Sequence, residues 1–271
     1  MTERSAGDPS SEAVVRDTAR AGDLDRYLAA LLAPRRVRGD LIALTAFLGE
    51  VARIPELVNE PMMGEIRLQW WRDVLERGLT DGGTGSPVAD ALLETIARHN
   101  LPVDTFIGIL AARSRELAPD AFATEEALDG YLDDTDGAAF GLAARILVPD
   151  GDDGIAKLAS AAGQAFGRIR LLRALPASLA KGRSVLPLEG ADWAAAVRPI
   201  LDAARVRVGE ARQRLPAAPA AVLPAMLPVA LVEPYLAALQ RLGPDIAREK
   251  ADISPLTRVW RLWRASVRGR I

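Results

Sequence analysis

Five basic side chains, Arg168, Arg170, Arg173, Lys181 and Arg183, crowd one stretch of this chain. Guanidinium groups grip a phosphate or a carboxylate through paired hydrogen bonds and need no metal to do so. An anion-holding pocket is therefore the first chemistry to consider, with solvated helix charges as the plainer alternative. Positions two apart on a helix point to different faces, so Arg168 and Arg170 cannot serve one site together. Arg173 and Arg183 are the candidates. Carboxylates gather at Asp133, Asp134 and Asp136, just after Tyr131, in a cluster that reads as a solvated helix end or cap. The single histidine, His99, stands at a helix end (Ala97-Arg98-His99-Asn100) and reads as a surface or capping residue; there is no cysteine. Disulfides, thiolate nucleophiles and Cys-based zinc sites are excluded, and a histidine metal site or triad would rest on one residue.

The segment Thr257 to Arg268 is basic and aromatic, with no acid after Asp252. Coiled as a helix, it sets Val259, Leu262, Trp263 and Val267 on one apolar stripe flanked by Arg258, Arg261, Arg264 and Arg268. Such a helix suits an anionic membrane surface or a protein partner, with Arg258, Trp260, Arg261, Trp263 and Arg264 as the contact residues. The alternative is a helix docked on the core with its arginines reaching out to water.

The elements that must position these groups are helices. Ala, Leu and Arg dominate, and alternating β-branched runs are few. A short helix is expected over 23–33, with Leu24, Tyr27, Leu28, Leu31 and Leu32 at helical spacing. A longer one opens at Pro34, with Leu41, Leu44, Thr45, Leu48 and Val51 on a stripe that Pro55 interrupts. Pro61 sits in the first turn of the next. Residues 80–86 read as a flexible loop; helices are expected next over 87–99, 103–117 and 124–148. The run Pro149 to Gly154 reads as a loop rather than a domain boundary. A helix over 155–175 is expected to end at Pro176, residues 176–190 to be loop, and helices to fill 192–214, 218–242 and 252–268. The expectation is one all-α domain of about ten helices over 12–271, behind a disordered tail of residues 1–11. With 49% apolar and 26% charged residues it can bury a sizeable core, and a net charge of −2 points to no nucleic-acid partner. The first ten residues are polar and include Glu3 and Asp8, unlike a signal or transit peptide, and no run of about twenty apolar residues suggests a membrane span. The default expectation is a cytoplasmic protein.

Several ordered segments resemble the squalene/phytoene synthase family, over about residues 23–242. Ala43-Leu44-Thr45-Ala46-Phe47 is similar to the family's "ALYAF" lead-in to its first aspartate-rich motif, and Ile66 to Asp73 to the helix after that motif. Leu128-Asp129-Gly130-Tyr131 is similar to a middle "YC..VAG" region. Gly163-Gln164-Ala165-Phe166, Leu171-Leu172-Arg173 and Gly182 to Pro187 match the second motif and its "GRxYLP" continuation, without a gap from Leu172 to Pro187. The resemblance implies an isoprenoid (terpenoid) synthase fold, with helices around a central pocket. In that family two prenyl diphosphates condense, and Mg²⁺ held by carboxylates of both motifs draws off pyrophosphate.

The residues that should hold the metal are missing. The first motif falls on Ala52-Arg53-Ile54-Pro55-Glu56 and the second on Arg173-Ala174-Leu175-Pro176-Ala177-Ser178, leaving Glu56 as the surviving acid. Arg53 puts a positive charge beside the metal position, which at about 4 Å costs roughly 4 kcal/mol. Both departures resemble a degenerate branch of the superfamily that includes a mitochondrial complex I assembly factor: Ala46 to Ala52 is similar to its "AFxxELA", which adds Glu50, and Leu172-Arg173-Ala174-Leu175-Pro176 with Leu186-Pro187 to its "LRAxP…LP". The reading is thus a non-catalytic scaffold or assembly factor near the inner membrane, with no catalytic or metal residues, no cofactor, and complex I subunits or assembly intermediates as partners. Glu50, Glu56, Tyr131, Gln164, Arg173 and Arg183 would line a degenerate ligand pocket. One alternative is a Mg²⁺-dependent prenyltransferase with a changed acid set, for which Glu50, Glu56 and two of the three Asp133, Asp134 and Asp136 must converge. Another is an isoprenoid or lipid carrier, which needs a long apolar cavity.

Overall fold

The computed structural model describes residues 10–78, 83–118, 122, 124–183, 186 and 193–271, and among them there is no β-strand. Residues 1–9 of the expected N-terminal tail lie outside the described residues. The Ser10 side chain accepts from the Ala13 N–H and starts α1, Ser11–Gly22. Asp23 caps α2, Leu24–Leu31, in the same way. The next helix, α3 (Arg35–Leu57), is buried over most of its girth from Asp40 to Val51, and it runs through Pro55. The missing proline N–H falls in the last turn, so the helix ends at Leu57 rather than breaking earlier.

Helix α4 (Pro61–Arg77) opens on its proline. Helix α5 (Pro87–His99) is capped by Ser86 and closed by Asn100, a left-handed residue with φ 47°. Of the loop expected over 80–86, residues 80–82 lie outside the described residues, while Thr84 is fixed by Asp90 Oδ1 at 2.7 Å. Helix α6 (Val103–Ser114) packs on α4. The helix expected over 124–148 is two helices, α7 (Glu125–Leu132) and α8 (Ala138–Leu147), joined by a π-helical turn over Asp133–Gly137. A π turn inserts one residue into the helical register and rotates the residues beyond it about the helix axis.

Asp152 caps α9, Asp153–Ala180, which continues past Pro176 to Ala180. Burial of Leu171, Leu172 and Leu175 holds the turn before the proline. Residues 184, 185 and 187–190 of the loop expected there lie outside the described residues. Helix α10 (Trp193–Arg214) lies along α9. The stretch expected as one helix over 218–242 is broken by Pro224 and Pro228 into α11 (Leu223–Met226), a 3₁₀ turn, and α12 (Val232–Leu242). Ala220–Ala247 is long and apolar enough to cross a membrane, but two thirds of its most apolar window is buried, as in a core element. Ser254 caps α13, Pro255–Arg268.

Two close approaches set the frame. A Cβ on Gly163 would lie 2.2 Å from the Gly137 nitrogen, so α9 meets the π turn backbone to backbone. One on Gly22 would lie 2.8 Å from the Gly49 Cα, which brings the end of α1 onto α3. With α8 packed on both, α3 and α9 then face each other across a gap beside the end of α1.

Candidate functional site

That gap is a pocket of about 400 Å³, walled by α3 (Gly49, Ala52, Arg53, Glu56) and α9 (Phe166, Ile169, Arg170, Arg173), and completed by the α1–α2 corner and the segment leading into α13. Its lining is charged: the cations Arg26, Arg53, Arg113, Arg170, Arg173, Lys250 and Arg258 against the carboxylates Asp23, Asp25, Glu56, Asp136 and Asp252.

Two knots tie most of these together. The π turn buries Asp136 completely. One of its oxygens accepts from Arg26 Nη2 at 2.8 Å, the other from Arg170 Nε at 3.0 Å, and Arg113 stands 3.8 Å away. Burial alone would raise its pKa, but Arg170, Arg26 and Arg113 hold it well below the usual carboxylate range. Arg113 and Arg170 also donate to the Tyr131 hydroxyl, at 2.9 and 3.0 Å, and Tyr131 donates to Glu116. Burial would likewise raise Glu116, yet Arg170 and Arg113 bring it down.

The second knot centres on Asp25. Arg258 Nε donates to it at 2.6 Å and Tyr235 at 2.8 Å, with Arg173 at 3.8 Å. Arg258 also reaches Asp252 at 2.7 Å, and Arg173 lies over the Tyr235 ring, 4.1 Å from its centroid. Burial and the charge of Asp23 raise the Asp25 pKa above the usual range; Arg173, Tyr235 and Arg258 offset this only in part. Arg53 and Lys250 have no ion pair among the described residues.

The residues read from sequence divide between this pocket and elsewhere. Arg173 and the exposed Glu56 line it. Tyr131 is buried behind it and supports Arg113 and Arg170. Glu50 opens instead on a separate hollow with Ile54, Leu57, Arg67, Trp70 and Trp71, where burial raises its pKa. Gln164 donates to Asp133 Oδ2 at 3.0 Å, away from the pocket. Arg183 lies outside the pocket, its Nη2 donating to the Val58 carbonyl at 2.8 Å. Asp136 is no solvated cap: it lies four residues on from Leu132 on the buried face of this helical stretch, whereas Asp134 stays exposed. His99 is mostly buried and bonds Asp40 at 2.8 Å, so it is a partnered residue rather than a surface one. Arg258 is not a surface contact: it is 4% exposed and bound to Asp25. Arg168 does point away from Arg170, toward Asp129. Asp25, Arg26, Arg113 and Tyr235 went unrecognised in the sequence. The one local signal was Asp23-Leu24-Asp25-Arg26 at a helix start, which reads equally as an acidic first turn.

The pocket does not fit Mg²⁺. The metal needs carboxylate oxygens free to face it, and here Asp25 and Asp136 each lie inside a cage of guanidinium groups while Arg53 occupies the first motif. Among the described residues, no group of three or more His, Cys, Asp or Glu side chains is placed to hold a metal ion. Of the changed acid set that a metal would require, Glu56 and Asp136 share this pocket, but Glu50 opens on another hollow and Asp133 and Asp134 do not line it. Among the described residues the apolar space that adjoins this pocket at Arg26, Leu48 and Ala139 measures about 30 Å³, room for about one water molecule, and the larger hollow of about 950 Å³ lies apart from it, beside Val15, Tyr27, Ile42 and Ala91.

The profile of the squalene/phytoene synthase family matches residues 19–257. The chain is 27% identical over 284 residues to NADH dehydrogenase (ubiquinone) complex I, assembly factor 6 of Mus musculus, spanning 95% of this chain and 84% of that protein. To the Homo sapiens protein of the same name it is 28% identical over 271 residues, spanning 90% and 80%. A squalene synthase from Alicyclobacillus acidocaldarius superposes with a TM-score of 0.70 at 23% identity, over 86% of this chain and 94% of that one. A dehydrosqualene synthase in complex with ligand gives 0.79 at 15% identity, over 95% and 96%. The fold is the all-α isoprenoid synthase fold, and the chain belongs to the squalene/phytoene synthase family.

Proposed function

We propose that this member of the squalene/phytoene synthase family is a non-catalytic assembly or scaffold factor for respiratory complex I. It acts without a cofactor, at the periphery of the inner membrane, on complex I subunits or assembly intermediates. The observation that carries the reading is Asp136. The family's chemistry needs carboxylates that attract a metal; the most buried carboxylate of this pocket is neutralised by Arg26, Arg170 and Arg113. Carboxylates tied up in buried ion-paired knots act as a structural polar centre, and Arg53 and Lys250 add positive charge where a metal would have to sit. The relatives named as complex I assembly factors, matched over nearly the whole chain, support complex I as the partner.

The test joins two measurements. The purified chain is titrated calorimetrically with farnesyl diphosphate, with and without Mg²⁺, and the mixture analysed for product. In parallel, assembled complex I is measured on native gels from cells lacking the chain. The expected result is no condensation product, and a loss of assembled complex I that the restored chain reverses. A Mg²⁺-dependent condensation product would overturn the reading, as would normal complex I in the deficient cells.

A further inference from the structure

Helix α13 is docked through one face and uncovered on another. Arg258, Leu262 and Ala265 are buried, while Leu256, Val259, Trp260, Trp263 and Val267 are 48 to 79% exposed. Steps of three and four residues bring those five onto one stripe of the helix, about 100° wide. The Trp260 and Trp263 rings stack 5.1 Å apart and tilted by 30°, making one broad indole surface. A contiguous apolar stripe facing water is a cost to a chain that leaves it bare.

Charge identifies the cover. Along the edge nearest Trp260 the stripe is bordered by the exposed Arg264 and Arg268, while Arg261 lies further round, half-buried near Glu233 of α12, and the sequence from Ser254 to Ile271 contains no acid. Arg264 and Arg268 make no ion pair among the described residues. The surface is a single convex helix face with cations of one sign along its edge and indoles at its centre. Arginine seeks lipid phosphate, and the indole ring settles at the boundary between headgroups and acyl chains. The other exposed apolar group, Leu57, Met62, Met63, Ile66 and Trp70, is interspersed with Glu60, Glu65 and Arg67 and carries no such charge preference.

We propose that this face seats the protein on an anionic lipid surface, with Trp260 and Trp263 at the headgroup boundary and Arg264 and Arg268 against lipid phosphates. The contact rests on the membrane placement of the assembly factor and specifies it. Its test does not involve complex I, so either can fail alone.

The experiment is vesicle flotation of the full chain, with phosphatidylcholine alone or mixed with phosphatidylglycerol, read together with tryptophan emission. Binding is expected to the anionic vesicles, with a blue-shifted emission, and to fall as salt is added. Removing one arginine weakens binding about 5-fold, so Arg264→Gln with Arg268→Gln weakens it about 30-fold, and the two lysine substitutions keep it. Trp260→Ser with Trp263→Ser abolishes binding without changing the melting temperature. No binding, equal binding to neutral vesicles, or undiminished binding by the tryptophan variant would each overturn the proposal. So would a dimer in sedimentation that the tryptophan variant dissolves, which would give the face to a second copy.

Discussion

Asp136→Asn keeps the shape of the side chain and removes the charge that three guanidinium groups surround. Asp136 has no exposed surface, and Arg26 and Arg170 hold it at 2.8 and 3.0 Å. Breaking a buried ion pair from one side costs about 3–5 kcal/mol, because the partner charges stay buried without compensation. At an unfolding entropy of about 2.1 cal/mol/K per residue, a chain of 271 residues loses about 1 °C of Tm for every ~0.6 kcal/mol. The substitution should therefore lower Tm at pH 7 by about 5–9 °C, followed by circular dichroism at 222 nm (the ~222 nm helical band). A pocket of mutually repelling, metal-seeking carboxylates predicts the opposite sign, since neutralising one acid there relieves repulsion. Lower pH separates the two further. The folded Asp136 pKa lies below its unfolded value, so its contribution is complete above about pH 4 and is lost as pH falls below that. The gap between parent and variant should narrow in acid. A variant that melts with or above the parent at pH 7 would refute the neutralised Asp136 knot and reopen a metal-dependent pocket.

Gly163→Ala should be costly, because its Cβ would sit 2.2 Å from the Gly137 nitrogen and backbone cannot yield as a side chain can; a loss of about 3 kcal/mol is expected in denaturant melts. Gly209→Ala on α10, with nothing within 4 Å of the new Cβ, should instead stabilise by about 0.5–1 kcal/mol. Arg258→Met leaves Asp25 buried with Tyr235 and a more distant Arg173, and should cost about 3 kcal/mol while making α13 more open to limited proteolysis. Trp260→Ser, on the exposed face of the same helix, should stay within about 0.5 kcal/mol of the parent in the same assay.

The sequence by itself determined most of the helices, the family resemblance and the emptied acid motifs. Each is a local property: a stripe of period 3.6, a proline or glycine at an end, a short string in fixed register. Where local rules misread the chain, packing outweighed them, as at Pro55 and Pro176, where the helices continue to Leu57 and Ala180. The π turn is the sharper case. It joins α7 and α8 where one helix was expected, and it buries Asp136, four residues on from Leu132, among cations that come from α2, α6 and α9. The arginine cages were settled only by tertiary structure, since Arg26 and Asp136 are 110 residues apart and Asp25 and Arg258 are 233 apart. Helical spacing says which side chains share a face of one helix. It does not say which helices face one another, and a buried charge is decided by that second question, because its partners must come from another helix to meet it out of water.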